Sequence, residues 1–239
     1  MTPDQLKASI LQYAMEGKLV PQDLDDEPAS ELLAKIQQEK AQLIKEKKIK
    51  KTKPLPAISE DEIPFEIPDS WEWVRFGELV TFYLGKTPKR VVPEYWEKES
   101  KKGIPWVSIA DINSSKIFKT KENVSKKAIE EVFSNKIVPK GTLIMSFKLS
   151  IGKVGILERD MVHNEAIIDI HPLVDEANIQ RDYLYHFLPL ISQSGDFSNA
   201  VKGKTLNKTS LSMLLVPLPP LAEQKRIVDK IDKMFEILN

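Results

Sequence analysis

Residues 54–70 read PLPAISEDEIPFEIPDS, and the prolines Pro54, Pro56, Pro64 and Pro68 decide how the rest of the chain divides. A proline fixes φ, removes a backbone donor and pushes the residue before it into an extended conformation, so this stretch cannot be a continuous helix. It reads as a linker, or as an arm strapped down on a neighbouring surface. It also separates two kinds of pattern. Before it, apolar residues recur at helical spacing. After it, short runs rich in β-branched residues take over, broken by two short helical stretches, and a sustained helical stripe returns near residue 221.

Toward the N-terminus, Leu6, Ile10 and Tyr13 fall at intervals of four and three, and Gly17 is placed to end that helix as its C′ residue. A second helix is expected after Asp25, Asp26 and Glu27, with Pro28 in its first turn and a stripe of Leu32, Leu33, Ile36, Leu43 and Ile44. It runs out in KEKKIKKTK at 45–53, which reads as a solvated helix end or a nucleic-acid tail. In the other direction, IPWVSIADI, GTLIMSF, KVGILE and AIIDIHPLV read as strands, and Lys126–Phe133 and Arg181–Ser192 as short helices. Pro217, Pro219 and Pro220 then keep the chain extended before Ile227, Ile231, Met234 and Leu238, which repeat at heptad spacing. That seam either covers the chain's own core or pairs with the N-terminal helices or a second chain. The expected fold class is α+β. One mixed domain at 68–216, with a curved, mostly non-parallel sheet, follows the linker at 54–67. Helices at 1–53 and 217–239 pack as a coiled-coil-like spacer.

Composition narrows the function classes. The 239 residues are 41% hydrophobic and 29% charged, which is globular chemistry. The absence of cysteine excludes a disulfide scaffold, a thiolate metal site and a cysteine nucleophile. No apolar run approaches the ~18 residues of a membrane span. The N-terminus has no signal-peptide h-region, so the cytoplasm is the expected location. The 35 basic and 35 acidic residues balance, but unevenly along the chain. Residues 59–72 carry six acids and no base, whereas residues 81–155 carry fifteen Lys/Arg against seven Asp/Glu. A neutral chain with one basic region points to a localised polyanion-binding face or to a lysine-rich solvated surface.

The sequence carries no catalytic motif. Gly85-Lys86-Thr87 and Gly203-Lys204-Thr205 lack the glycine five positions upstream that a P-loop needs; Val80 and Ser198 stand there. No dinucleotide fingerprint and no nucleophile elbow is present. His163, His171 and His186 are spaced like no local metal motif, although His163 and Glu165 could be drawn as a metal-dependent hydrolase pair. No cofactor is implied. Recognition chemistry remains: phosphates are contacted by Lys, Arg, Ser, Thr and backbone amides, and base edges by Arg, Lys, Asn and Ser. Three loops supply these types. They offer Lys86, Thr87, Lys89 and Arg90; Ser146, Lys148, Ser150 and Lys153; and Lys202, Lys204, Asn207 and Lys208. Arg90, Lys148 and Asn207 are the first choices for base edges.

Several segments, taken in order, carry a family resemblance: LKASILQYAMEGKLVPQDLDDEPASELLAKI (6–36), IPDSWEWVRFGELV (67–80), GKTP (85–88) with PEYW (93–96), and GIPWVSIADI (103–112). KGTLIMSFKLSIGKVGI (140–156), NEAIIDIHP (164–172) and VPLPPLAEQKRIVDKID (216–232) complete the set. Together they resemble the specificity subunit of type I restriction–modification enzymes. The resemblance implies mixed α/β target recognition domains separated by antiparallel spacer helices, each domain reading one part of a two-part DNA site. It implies that the helices dock methyltransferase subunits, through which restriction subunits join, and that this subunit is not itself catalytic. In that setting Ile227, Ile231, Met234 and Leu238 are the expected partner-binding residues. The family pattern has two recognition domains and this chain has one set of motifs. It is therefore read as a fragment, or as a half-subunit that forms a homodimer through its terminal helices. Lys86 stands where many relatives have a second glycine. The competing reading is a non-catalytic scaffold whose helices bind partner proteins and whose basic surface is incidental.

Overall fold

In the computed structural model of the chain, residues 2–98, 102–194, 198–200 and 203–238 are described; side chains at 194, 198–200 and 203–205 are not. In chain order the elements are α1 (Pro3–Met15), α2 (Ala29–Lys45), β1 (Glu72–Arg75), α3 (Phe76–Leu79), β2 (Val80–Leu84), β3 (Trp96–Glu97) and β4 (Ile104–Val107). Then come β5 (Lys116–Ile117), β6 (Glu122–Val124), α4 (Lys126–Glu131), β7 (Leu143–Ser146), β8 (Val154–Leu157), β9 (Val162–His163) and β10 (Ile167–Pro172). The last are α5 (Ile179–Ile191), β11 (Ser198–Ala200), β12 (Gly203–Thr205), α6 (Lys208–Met213), β13 (Leu215–Leu218) and α7 (Leu221–Leu238). They divide into two compact units. A helical unit takes residues 1–81, 172–187 and 211–239; a sheet unit takes residues 82–171 and 188–210.

The helical unit is built as its sequence suggests. Thr2 and Gln5 form a capping box at the start of α1, and Gly17, at φ 71, ends it. The Gly17 amide donates to Ala14 O and the Lys18 amide to Tyr13 O, as a left-handed C′ residue allows. Pro28 precedes α2 as its N-cap, one residue earlier than the first-turn position expected for it. The proline-rich stretch is an arm strapped down by Arg75. That guanidinium, 3% exposed, donates to the carbonyls of Pro56, Ala57 and Met213 and pairs with Glu62 at 2.8 Å. The arginine's hydrogen bonds hold the Glu62 carboxyl at about 2. Strands β1 and β13 form an antiparallel ribbon that pairs Glu72 with Leu218 and Arg75 with Leu215.

Two polar ties fasten α7. Glu223 is fully buried, accepting from the Trp71 indole at 2.9 Å and from the Gln22 amide at 2.6 Å. Burial pushes its carboxyl up, and these two donors hold it in part. Arg226 forks onto both oxygens of Asp26 at 3.0 and 2.6 Å. Helix α1 packs along α7. The heptad seam therefore divides. Ile227 and Ile231 are 0% exposed inside this unit, whereas Met234 and Leu238 are half-buried and Ile237 is 84% exposed. This corrects the expectation for Ile227 and Ile231: the chain's own core covers them, so they offer no surface to a partner. The second-chain possibility is left with the last turn of α7.

The sheet unit contains two main sheets where one was expected. The first has five strands in the order β2–β10–β7–β8–β5, and the second has four in the order β3–β6–β4–β9. Pairing is antiparallel except for β5 with β8 and β4 with β9. Two cores explain the split. Val107, Ile144, Leu157, Met161 and Ile167 belong to one; Trp106, Val124, Ile129, Phe133 and Val162 belong to the other. The neighbours Trp106 and Val107 alternate faces along β4, so a single strand feeds both cores.

Candidate functional site

The register of the five-stranded sheet decides where the loops fall. The Gly85 amide, just past β2, donates to Ile167 O at the start of β10. Ile167 is opposite Ser146 at the end of β7, and Met145 is opposite Val154 at the start of β8. The loops after β2 and after β7 therefore leave the same end of the sheet. The third loop joins them there, because the Leu206 amide donates to Phe147 O at 3.0 Å. Residues from three separate stretches of sequence thus converge at one sheet end.

The first loop is braced from below. The Lys86 amide donates to His163 O at 2.9 Å, and the Trp106 indole donates to Lys86 O at 3.0 Å. Gly85 lies so close to the His163 and Asn164 carbonyls that a Cβ would sit 2.2 Å from each, which explains the glycine here. The Lys86 ammonium turns back onto Val132 O at 2.6 Å, and the Thr87 hydroxyl donates to Glu165. The Arg90 guanidinium pairs with both oxygens of Glu122 and stacks 3.8 Å from the Trp96 ring centroid. Glu122 holds Arg90 firmly in its charged form. Lys89 is exposed, and no ion pair among the described residues engages it.

The second loop turns on Ser146. This residue is 0% exposed; its hydroxyl donates to Ser150 O and accepts from the Lys153 amide at 3.1 Å. It shapes the loop and offers nothing to a ligand, which corrects its place among the expected contacts. Lys148, Ser150 and Lys153 lie around the turn that Ser146 organises; Ser150 and Lys153 are exposed and Lys148 partly so. The Lys148 ammonium is 5.2 Å from the Phe147 ring centroid. Gly152, at φ 83, seats its backbone against Ser192, and Gln193 donates to Ile151 O at 3.1 Å.

The third loop is less fully defined. Lys202 lies outside the described residues, and Lys204 is placed by backbone alone, paired with Asn199 across β11 and β12. Asn207 Oδ1 accepts the Ser210 amide at the start of α6, so its expected base-reading oxygen already has a partner. The Lys208 ammonium stands 5.9 Å from the Phe82 ring centroid.

A buried cluster went unforeseen. Asp169 on β10 accepts from His163 Nε2 at 2.9 Å and from His171 Nε2 at 2.6 Å. Burial would push this carboxyl up, but the two histidine hydrogen bonds outweigh it and hold it at about 2. Asp169 and His171 are two apart on one strand and so share a face, a signal open to sequence reading. His163 comes from another strand and was not. Glu165, the other half of the drawn hydrolase pair, instead accepts from Thr87. Among the described residues no group of His, Asp and Glu is arranged to hold a metal ion, and no helix is long and apolar enough to cross a membrane. The depressed Asp169 stabilises the fold above the ordinary carboxyl value of 3.8, and that contribution is lost as pH falls through about 2. Asp169→Asn is expected to melt below the wild type at pH 6. The gap should close as pH approaches 2, and a gap independent of pH would refute this account.

The family model described as "Type I restriction modification DNA specificity domain" matches residues 68–239. The EcoAI type I restriction enzyme specificity subunit of Escherichia coli is 35% identical over 99% of this chain and 40% of its own length. The EcoEI specificity subunit of the same species is 31% identical over 98% of this chain and 40% of its own length. This chain thus spans about two fifths of the curated relatives it matches. The HsdS subunit from Thermoanaerobacter tengcongensis superposes with a TM-score of 0.54 at 19% identity, over 99% of this chain and 52% of that one, a likeness of fold.

Proposed function

The chain belongs to the family of type I restriction–modification DNA specificity domains, and from that premise we propose that it reads one part of a two-part, interrupted site in double-stranded DNA. The observation that carries this reading is the convergence of three cation-bearing loops at one end of the five-stranded sheet. Lys89, Lys148, Lys153 and Lys208 supply phosphate contacts and Ser150 a neutral donor, whereas Lys86 and Thr87 join them only by leaving Val132 O and Glu165. Arg90 reads a base edge only by exchanging Glu122 for guanine, since its fork is filled when DNA is absent. Recognition belongs to the stretch 68–216, with 1–53 and 217–239 as spacer and 54–67 as the strap between them. The subunit carries no catalytic chemistry and no cofactor. Methyl transfer and cleavage are left to methyltransferase and restriction subunits in the cytoplasm.

Docking of the methyltransferase subunits, or of a second copy of the chain, falls to the outer face of α7 at Met234, Ile237 and Leu238. The scaffold reading shares this docking and denies the DNA contact. Selection from a pool of random duplexes separates the two. A recognition subunit enriches a defined sequence, and its affinity falls linearly in log–log form with salt. Failure to enrich any sequence, with no salt dependence, would leave the scaffold reading in place.

A further inference from the structure

We propose that Leu149 is an apolar wedge that enters the duplex and unstacks a base step when the chain binds DNA. This rests on the DNA-reading function above and adds to it the way one residue engages the bases.

Among the described residues, the non-glycine positions at positive φ are Lys47, Ser134, Asn135, Leu149, Ala177 and Asn178. Leu149, at φ 64, is the large apolar one. L residues outside Asn and Asp rarely adopt this conformation, because Cβ crowds the following carbonyl. A leucine also gains by burial, yet this one is 57% exposed. Two unfavourable features therefore coincide at one residue, and strain of this kind collects where a site needs a side chain held in place.

The surroundings say what the side chain is held for. Leu149 lies at the tip of the β7–β8 turn, and the turn is anchored at its base. The Gly152 amide donates to Ser146 O, the Ser146 amide to Lys153 O, and Gln193 fixes Ile151 from the side. Such a turn cannot collapse to hide its leucine. Lys148 precedes Leu149 and Lys153 closes the turn, so the apolar tip is bracketed by cations. A protein or lipid partner would reward an apolar patch free of charge, but Lys148 directly precedes this leucine and Lys153 follows it. A polyanion with an apolar interior suits that pattern: phosphates meet the cations and the base stack meets the leucine. A two-stranded β-ribbon fits a DNA groove, and leucine is among the side chains that other proteins insert between base steps.

The wedge makes a prediction that plain phosphate binding does not. Unstacking costs energy, so a duplex already weakened at the inserted step should bind more tightly. The test starts from a duplex selected from the random pool and moves a single mismatch along it, with 2-aminopurine reporting unstacking. Wild type is expected to bind about tenfold tighter when the mismatch falls at one particular step, and to raise 2-aminopurine fluorescence there. Leu149→Ala, which keeps the backbone, should lose both effects while retaining the salt slope; Leu149→Met should restore them. Wild type that binds the selected duplex with no position-dependent mismatch gain overturns the wedge and leaves DNA reading intact. So does Leu149→Ala that loses preference for thymine at one position without any change in stacking, which would make Leu149 a methyl reader. Absence of salt-dependent DNA binding in wild type overturns the DNA reading and the wedge together.

Discussion

Ile231→Asp is expected to unfold the helical unit, and Ile237→Asp, six residues further along the same helix, to leave it folded. Ile231 is 0% exposed and Ile237 is 84% exposed. Removing a buried isoleucine costs about 2–5 kcal/mol in lost transfer and cavity energy. Placing a carboxylate in that fully buried site adds a desolvation cost, or forces the acid to protonate. The sum rivals the whole stability of an ordinary domain, about 5–15 kcal/mol. At Ile237 neither cost arises, and the change should stay within roughly 0.5 kcal/mol. Circular dichroism melts of the two variants and the wild type measure this. A cooperative melt of Ile231→Asp near the wild-type midpoint would show that α7 is not part of the core. The contrast also selects the variant for testing assembly. Only the Ile237 change can remove a docked partner without removing the fold, so light scattering and pull-down with methyltransferase subunits belong on that variant.

How much was legible in the sequence follows from the range of the forces involved. The prolines of 54–70, the glycine-terminated α1 and the apolar spacing of α7 are patterns of residues within a turn or two of one another, and local spacing reports them, although the bonds that strap the arm and fasten α7 are long-range. The segments that carried the family resemblance have a structural reason to occur together. Gln22 and Asp26 in the N-terminal segment, Trp71 at the start of the strand region, and Glu223 and Arg226 in the spacer entry bond to one another over as many as 201 residues. The resemblance could therefore be recognised, but the bonds behind it could not be read from spacing. The division into two sheets was hidden for a related reason. Strands of two to six residues carry little pattern, and the two cores part at β4 by which face each of its residues takes. At the site, residue type alone put Ser146 and Asn207 among the ligand contacts. Both kinds of side chain equally well serve their own backbone, as a buried brace and a helix cap, and only the fold decides between these uses. Arg90 is the intermediate case: its charge was legible, but Glu122 and the Trp96 face that occupy it come from other strands.

The largest expected effect on function comes from Lys89, Lys148 and Lys153 replaced together by alanine. These side chains reach water at the converging loop end, and no ion pair among the described residues engages them, so they meet a phosphate at little cost in broken contacts. Each phosphate neutralised releases about 0.9 counterion from duplex DNA, so three lost contacts should flatten the log–log salt slope by about three. At 0.1 M salt the same relation makes the loss of affinity on the order of a few hundredfold, shrinking toward nothing as salt approaches 1 M. The loss should be nearly equal for the selected duplex and for unrelated sequences, because phosphates carry no sequence information. The melting temperature should hardly move, since the three residues lie at the surface. Arg90→Lys provides the contrast: it keeps the charge but loses the fork, and should lower discrimination at one base pair by about 1–3 kcal/mol with an unchanged slope. The decisive measurement is the slope of the triple variant against that of the wild type. An unchanged slope would mean that these three cations never meet phosphate, and that the converging loops belong to a scaffold's surface and not to a reader of DNA.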